Sequence, residues 1–153
     1  MSTIITAYLP IVAFLVALAL IAIGAGKMWL RRIELQLVKK SLEGMRNGTI
    51  SPFYTNSFLY DPLQRLGLSL EDVGTTKSEL RGLQVRVLKE WLKEYRAAIS
   101  DRFHVEIAEE LARSILFHTK DGLTLAHIGT WPEELQEWRQ VKQAQDDLLT
   151  WGP

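Results

Sequence analysis

Three histidines, His104, His118 and His127, are the only imidazoles in the chain, and there is no cysteine. Imidazole and thiol side chains supply most metal ligands, general bases and strong nucleophiles. Without a thiol, disulfide scaffolds, thiolate zinc sites, iron–sulfur clusters and cysteine nucleophiles are excluded. Spacing then restricts the imidazoles. His104 and His118 fall on one expected helix, roughly 21 Å apart along its axis, which is too far to share an ion. His118 and His127 could approach across a turn with Asp121 beside them, and a membrane-bound enzyme would have to rest on that trio. A working site needs three or four ligands at fixed spacing. Ordinary surface or half-buried histidines are the simpler reading, so no metal and no cofactor is expected.

Carboxylates occur as the adjacent pairs Glu71-Asp72, Glu109-Glu110, Glu133-Glu134 and Asp146-Asp147. Neighbours on a helix point about 100° apart, so none of these is a facing acid–base dyad. They read as solvated faces or as partners for helix dipoles. No glycine-rich phosphate loop, no Gly-x-Ser-x-Gly and no His-Glu-x-x-His is present. No catalytic residue is expected, and the chain is not read as an enzyme. The stretch from Ile107 to Ala112 invites a helix-turn-helix comparison. Its recognition helix would open at Pro132 with Glu133, Glu134 and Glu137, which repel phosphate. Nucleic acid is therefore not an expected partner.

The charge is distributed unevenly, and that distribution points to a membrane. Residues 1–26 hold no Asp, Glu, Lys, Arg or His. Residues 27–47 hold six basic side chains against two acidic, a net of +4, and residues 48–153 hold twelve against sixteen, a net of −4. The run from Tyr8 to Gly26 is long enough for a transmembrane helix. Tyr8 and Trp29 flank it and would stand roughly 32 Å apart on a helix, matching the hydrocarbon thickness and the usual place of interfacial aromatics. Pro10 falls in the first turns, where its missing N–H costs least. A cleaved signal peptide would need a basic start and a shorter apolar run. Lys27, Arg31, Arg32, Lys39 and Lys40 follow the span. The positive-inside rule puts the N-terminus outside and residues 27–153 in the cytoplasm. The same residues would meet anionic lipid. Ala13 with Ala17, and Ala22 with Gly26, give four-residue small spacings of the kind that lets membrane helices approach closely.

The rest reads as helix. Leu30, Ile33, Leu37, Val38, Leu42 and Met45 form one stripe that continues the anchor as far as Asn47-Gly48. Asn47-Gly48-Thr49 also matches a glycosylation acceptor, a chance match in a cytoplasmic segment. Residues 49–75 contain Pro52, Pro62, Gly67 and Gly74 and four aromatics, and are expected to be irregular, with Asp61-Pro62 opening a short helix closed by Gly67. Thr76 with Glu79 is a capping-box pattern ahead of a helix over 77–99, striped by Leu80, Leu83, Val87, Trp91, Tyr95 and Ala98. A second helix is expected over 101–118, striped by Phe103, Ile107, Leu111 and Ile115 and carrying a Glu109–Arg113 pair. Lys120-Asp121-Gly122 reads as a turn, and Leu123–Ile128 as a short extended piece. A second capping box at Thr130 and Glu133 opens a helix over 131–149, striped by Leu135, Trp138, Val141 and Leu148. Trp91, Trp131, Trp138 and Trp151 are expected to supply much of the buried area.

The expected fold is all-α: an anchor over 1–28, a basic juxtamembrane helix over 29–48, an aromatic-rich connector over 49–75, and a helical domain of three to four helices over 76–153. The expected function is a single-pass, membrane-anchored interaction module, an accessory or assembly subunit with membrane lipid and either a protein partner or further copies of itself as contacts. A self-assembling structural or lytic membrane component of a phage or secretion apparatus is the alternative, and a membrane-bound enzyme with no recognisable motif is the second.

Overall fold

The computed structural model describes residues 2–101, 104–119 and 123–150, with side chains from residue 13 to residue 148. Its described residues are helical and contain no strand. The six α-helices are α1 (Ser2–Asn47), α2 (Asp61–Leu66), α3 (Lys77–Asp101), α4 (Val105–His118), α5 (Leu125–Ile128) and α6 (Glu137–Thr150). The chain divides into two compact units. The first comprises Met1–Ile50 and Thr55–Gly74, and the second Ser51–Tyr54 and Thr75–Pro153.

In the first unit α1 runs for 46 residues without a break. It stops where Gly48 turns to φ 81° and Asn47 Oδ1 accepts from the Thr49 N–H (3.1 Å) and hydroxyl (2.8 Å). The chain then folds back over the helix end, the Ile50 N–H donating to the Gly44 carbonyl at 3.0 Å. Any larger residue at position 44 would displace the Ile50 side chain. A Cβ on it would stand 2.7 Å from Ile50 Cδ1 and 2.8 Å from Cγ1. Residues 49–75 are not irregular as expected. They carry a 3-10 turn at Pro52–Tyr54, which belongs to the second unit and packs on α3, and, within the first unit, a π-turn at Asn56–Tyr60 leading straight into α2 and a second 3-10 turn at Glu71–Val73. Burial of apolar residues against α1 holds the π-turn and α2. Leu59, Leu63, Leu66 and Leu70 are buried, as are Val38, Leu42 and Met45 of α1. Leu30 and Leu37, expected in the same stripe, are exposed. Pro62 near the start of α2 and left-handed Gly67 (φ 66°) at its end bound that helix as the sequence indicates.

The second unit is built on α3 against α4. Its core contains Leu88, Leu92, Tyr95 and Ala98 of α3 and Ala108, Ala112 and Ile115 of α4, closed by Leu123, Ile128 and Leu135. The face of α4 differs from expectation. Ala108 and Ala112 join Ile115 in the buried face, Leu111 packs against it half-buried, and Ile107 is exposed. Small residues there let the two helix axes approach, and the leucines of α3 fill the interface. Phe103 lies outside the described residues, and so do the Lys120-Asp121-Gly122 turn and Trp151. Leu123–Ile128 is not extended. Residues 125–128 form a helical turn opened by a capping box between Thr124 and His127. The capping box expected at Thr130 is shifted by one residue. The Thr130 hydroxyl donates to Glu134 Oε2 at 2.6 Å, and the last helix begins through a 3-10 turn at Glu134–Gln136. Trp131, expected in the core, is 65 % exposed, and Leu148 is exposed as well.

Candidate membrane-anchoring site

The N-terminal half of α1 presents a run of exposed apolar side chains from Phe14 to Ile23. Phe14, Leu15, Val16, Leu18, Leu20, Ile21 and Ile23 are all exposed. Full burial of such a side chain is worth roughly 1.5–3 kcal/mol. Even at half exposure, leaving seven of them in water costs on the order of 10 kcal/mol, comparable to the whole stability of a domain. By length and composition this is the one helix among the described residues that is apolar enough to cross a membrane.

The structure places the basic residues after this surface in different settings. Lys27, Arg32, Lys39 and Lys40 are exposed on α1. Arg31 is exposed too but reaches sideways, and its Nη2 donates to the Leu66 carbonyl at 2.8 Å. That carbonyl ends α2, where helix carbonyls lack intrahelical donors and the dipole favours a cation. One turn further along, Glu34 pairs with Arg65 at 2.6 Å, and near the end of α1 Arg46 Nη2 donates to the Gly74 carbonyl at 2.8 Å. α2 therefore runs back along α1 toward the apolar segment. Met28, Arg31, Arg32, Leu35, Leu66 and Leu68 line an open cavity of about 240 Å³ where the end of α2 meets α1. Helical periodicity did not reveal this role of Arg31. The signal available was its position on the same face as Leu35, Val38 and Leu42, at steps of four, three and four.

Trp29 is exposed near the end of the apolar run, whereas the side chain of Tyr8 lies outside the described ones. Ala13, Ala17 and Ala22 are exposed on α1, and a Cβ added at Gly26 would meet nothing within 4 Å. Ala13 and Ala22 are nine positions apart, roughly two and a half turns, so the two small-residue pairs face opposite sides of the helix.

The histidines do not assemble. The His127 ring caps its own turn, Nδ1 accepting from the Thr124 N–H at 3.1 Å. His118 stacks on Phe53, ring centroids 4.0 Å apart, with Trp91 and Phe117 at 5.7 and 5.0 Å. Burial in that aromatic cluster lowers the His118 pKa. His104 Nε2 lies 3.3 Å from Asp101 Oδ2. Asp121 lies outside the described residues, and among the described ones no three His, Asp or Glu side chains could hold a metal ion.

The strongest polar cluster is structural. Tyr95, only 1 % exposed, donates from its hydroxyl to the Glu134 carbonyl at 2.5 Å. The Glu134 carboxylate takes Arg96 Nε at 2.6 Å and the Thr130 hydroxyl at 2.6 Å. These hydrogen bonds, Arg96 first, hold the Glu134 carboxyl below the usual carboxylate range. No family model matches the chain, and no curated protein or solved structure is found similar to it.

Proposed function

We propose that α1 crosses a membrane once and tethers a helical body that serves as an interaction module, an accessory or assembly subunit of a membrane-associated complex. The observation that carries the tether is the uncovered apolar face of α1 from residue 14 to residue 23, with no charge from residue 1 to residue 26. The basic residues that follow favour an N-terminus outside and the body in the cytoplasm. The interaction role draws on the body itself, whose strongest polar cluster is spent on structure and whose surface leaves Ile107, Phe117 and Trp131 exposed.

Alkaline carbonate extraction of native membranes tests the tether, with the chain expected to stay in the pellet. Release into the supernatant would defeat it. Protease added outside intact cells should leave the body uncut, and cleavage of the body would reverse the orientation. Purification at native level in mild detergent, followed by mass spectrometry, should find a stoichiometric protein partner. A clean species containing only this chain in high copy number would favour the self-assembling alternative. The opposed faces of Ala13–Ala17 and Ala22–Gly26 favour that alternative, because a helix with two contact faces can propagate an array.

A further inference from the structure

We infer that the cavity between α1 and the end of α2 holds the headgroup of an anionic glycerophospholipid. This inference rests on the proposed membrane crossing. Arg31 lies five positions beyond Gly26, roughly 7.5 Å along the axis. The polar layer on each side of a bilayer is of that thickness, about 5–8 Å. The cavity would therefore open at the depth of the lipid phosphates. Its chemistry fits one end of a lipid. Arg31 and Arg32 supply guanidinium donors suited to a phosphate, and Met28, Leu35, Leu66 and Leu68 supply apolar walls. Arg31 spends one donor on the Leu66 carbonyl and so is held in place, while a guanidinium carries five N–H groups in all. At about 240 Å³ the cavity is smaller than the ~300–1,000 Å³ of pockets that enclose a whole ligand. It accepts the headgroup's phosphate at its Arg31 and Arg32 rim and the glycerol backbone against its apolar walls, while the acyl chains continue along the exposed face of α1.

The test uses the full chain in maltoside micelles. Phosphatidylglycerol or phosphatidylcholine with the same acyl chains is added, and native mass spectrometry counts the lipid retained. Phosphatidylglycerol should be retained in preference. Arg32→Gln should weaken its retention about fivefold, since one basic residue near an anionic lipid is worth about 1 kcal/mol. The double variant Lys39→Gln/Lys40→Gln, which removes two charges away from the cavity, should change it less than about twofold. Equal retention of the two lipids overturns the inference, as does an equal or larger loss in the double variant. Displacement of the lipid by millimolar glycerol phosphate would also overturn it, marking a site for soluble anions. Carbonate extraction of the same protein separates the two levels. A chain that resists extraction but shows no lipid preference refutes the cavity alone, whereas an extractable chain refutes the tether beneath it.

Discussion

Tyr95 gives a prediction whose size follows from its surroundings. Its ring is buried in the core of the second unit and its hydroxyl donates to the Glu134 carbonyl. Burial raises its pKa to about 12, with the Glu137 and Glu134 carboxylates adding to the effect. The neutral phenol is the form the folded chain prefers. In the unfolded chain the group titrates near 10, so the folded state keeps its proton over a window in which the unfolded state loses it. The contribution is complete below about pH 10 and disappears as pH rises through about 12. At about pH 11 the loss is between 1 and 2 kcal/mol, growing to between 2 and 3 kcal/mol above about pH 12. Tyr95→Phe removes the titration and also the hydrogen bond, which contributes about 1 kcal/mol. The variant should therefore be less stable than the native chain at neutral pH by about that amount. The difference should vanish near pH 11 and reverse above it, on the order of 1–2 kcal/mol. Urea unfolding of both full-length proteins in one detergent, followed by far-ultraviolet circular dichroism between neutral pH and about pH 12, measures it. Other groups titrate in the same range, but they are common to both proteins and cancel in the difference. A gap that stays constant with pH would refute the reasoning, because it would mean that the Tyr95 phenol ionises as readily in the folded chain as in the unfolded one.

Two further substitutions probe the first unit. Leu20→Arg puts a charge in the middle of the apolar face of α1, at a cost of about 2.5–3.5 kcal/mol for insertion, and should lower the carbonate-resistant fraction several-fold. An unchanged fraction would show that the segment does not sit in hydrocarbon. Gly44→Val places branched carbon where Ile50 already lies within 2.7 Å of a Cβ position. It should destabilise the chain by about 1–3 kcal/mol, read as a lower urea midpoint, even though valine is a better helix former than glycine.

The long elements were legible because their signals are local and repeated. A charge-free apolar run, a proline followed at a distance by a glycine, and leucines at steps of three and four mark α1, α2 and α3. The faces were less legible. Periodicity alone favours the largest side chains, so it places Ile107 on the inner face of α4, where Ala108 and Ala112 are buried and Ile107 is exposed. The inward face there is set by how closely α3 approaches, which is tertiary information. Size alone points Trp131 to the core, yet it lies in the loop before the 3-10 turn, where Leu135 takes the buried place. The stretch 49–75 read as a loop because its turns are each too short to show a period. Its structure depends on packing, and a sequence window cannot see α1 beside it. The candidate site divides in the same way. Composition exposes the apolar face and the basic residues after it, but the bond from Arg31 to Leu66 spans 35 positions, beyond any local pattern.

The unbroken helix has a mechanical consequence. α1 contains no glycine or proline between Gly26 and Gly44, and the first unit is built on its far end without an intervening hinge. In the proposed tether, the stretch from Gly26 to Asn47 acts as a lever about 32 Å long. A tilt of about 20°, usual for a spanning helix, would carry its end roughly 11 Å sideways over the membrane surface. Bilayer thickness, which biases that tilt, would then steer where α2 stands. A partner docked on the first unit would feel the membrane through leverage, with no conformational change in that unit.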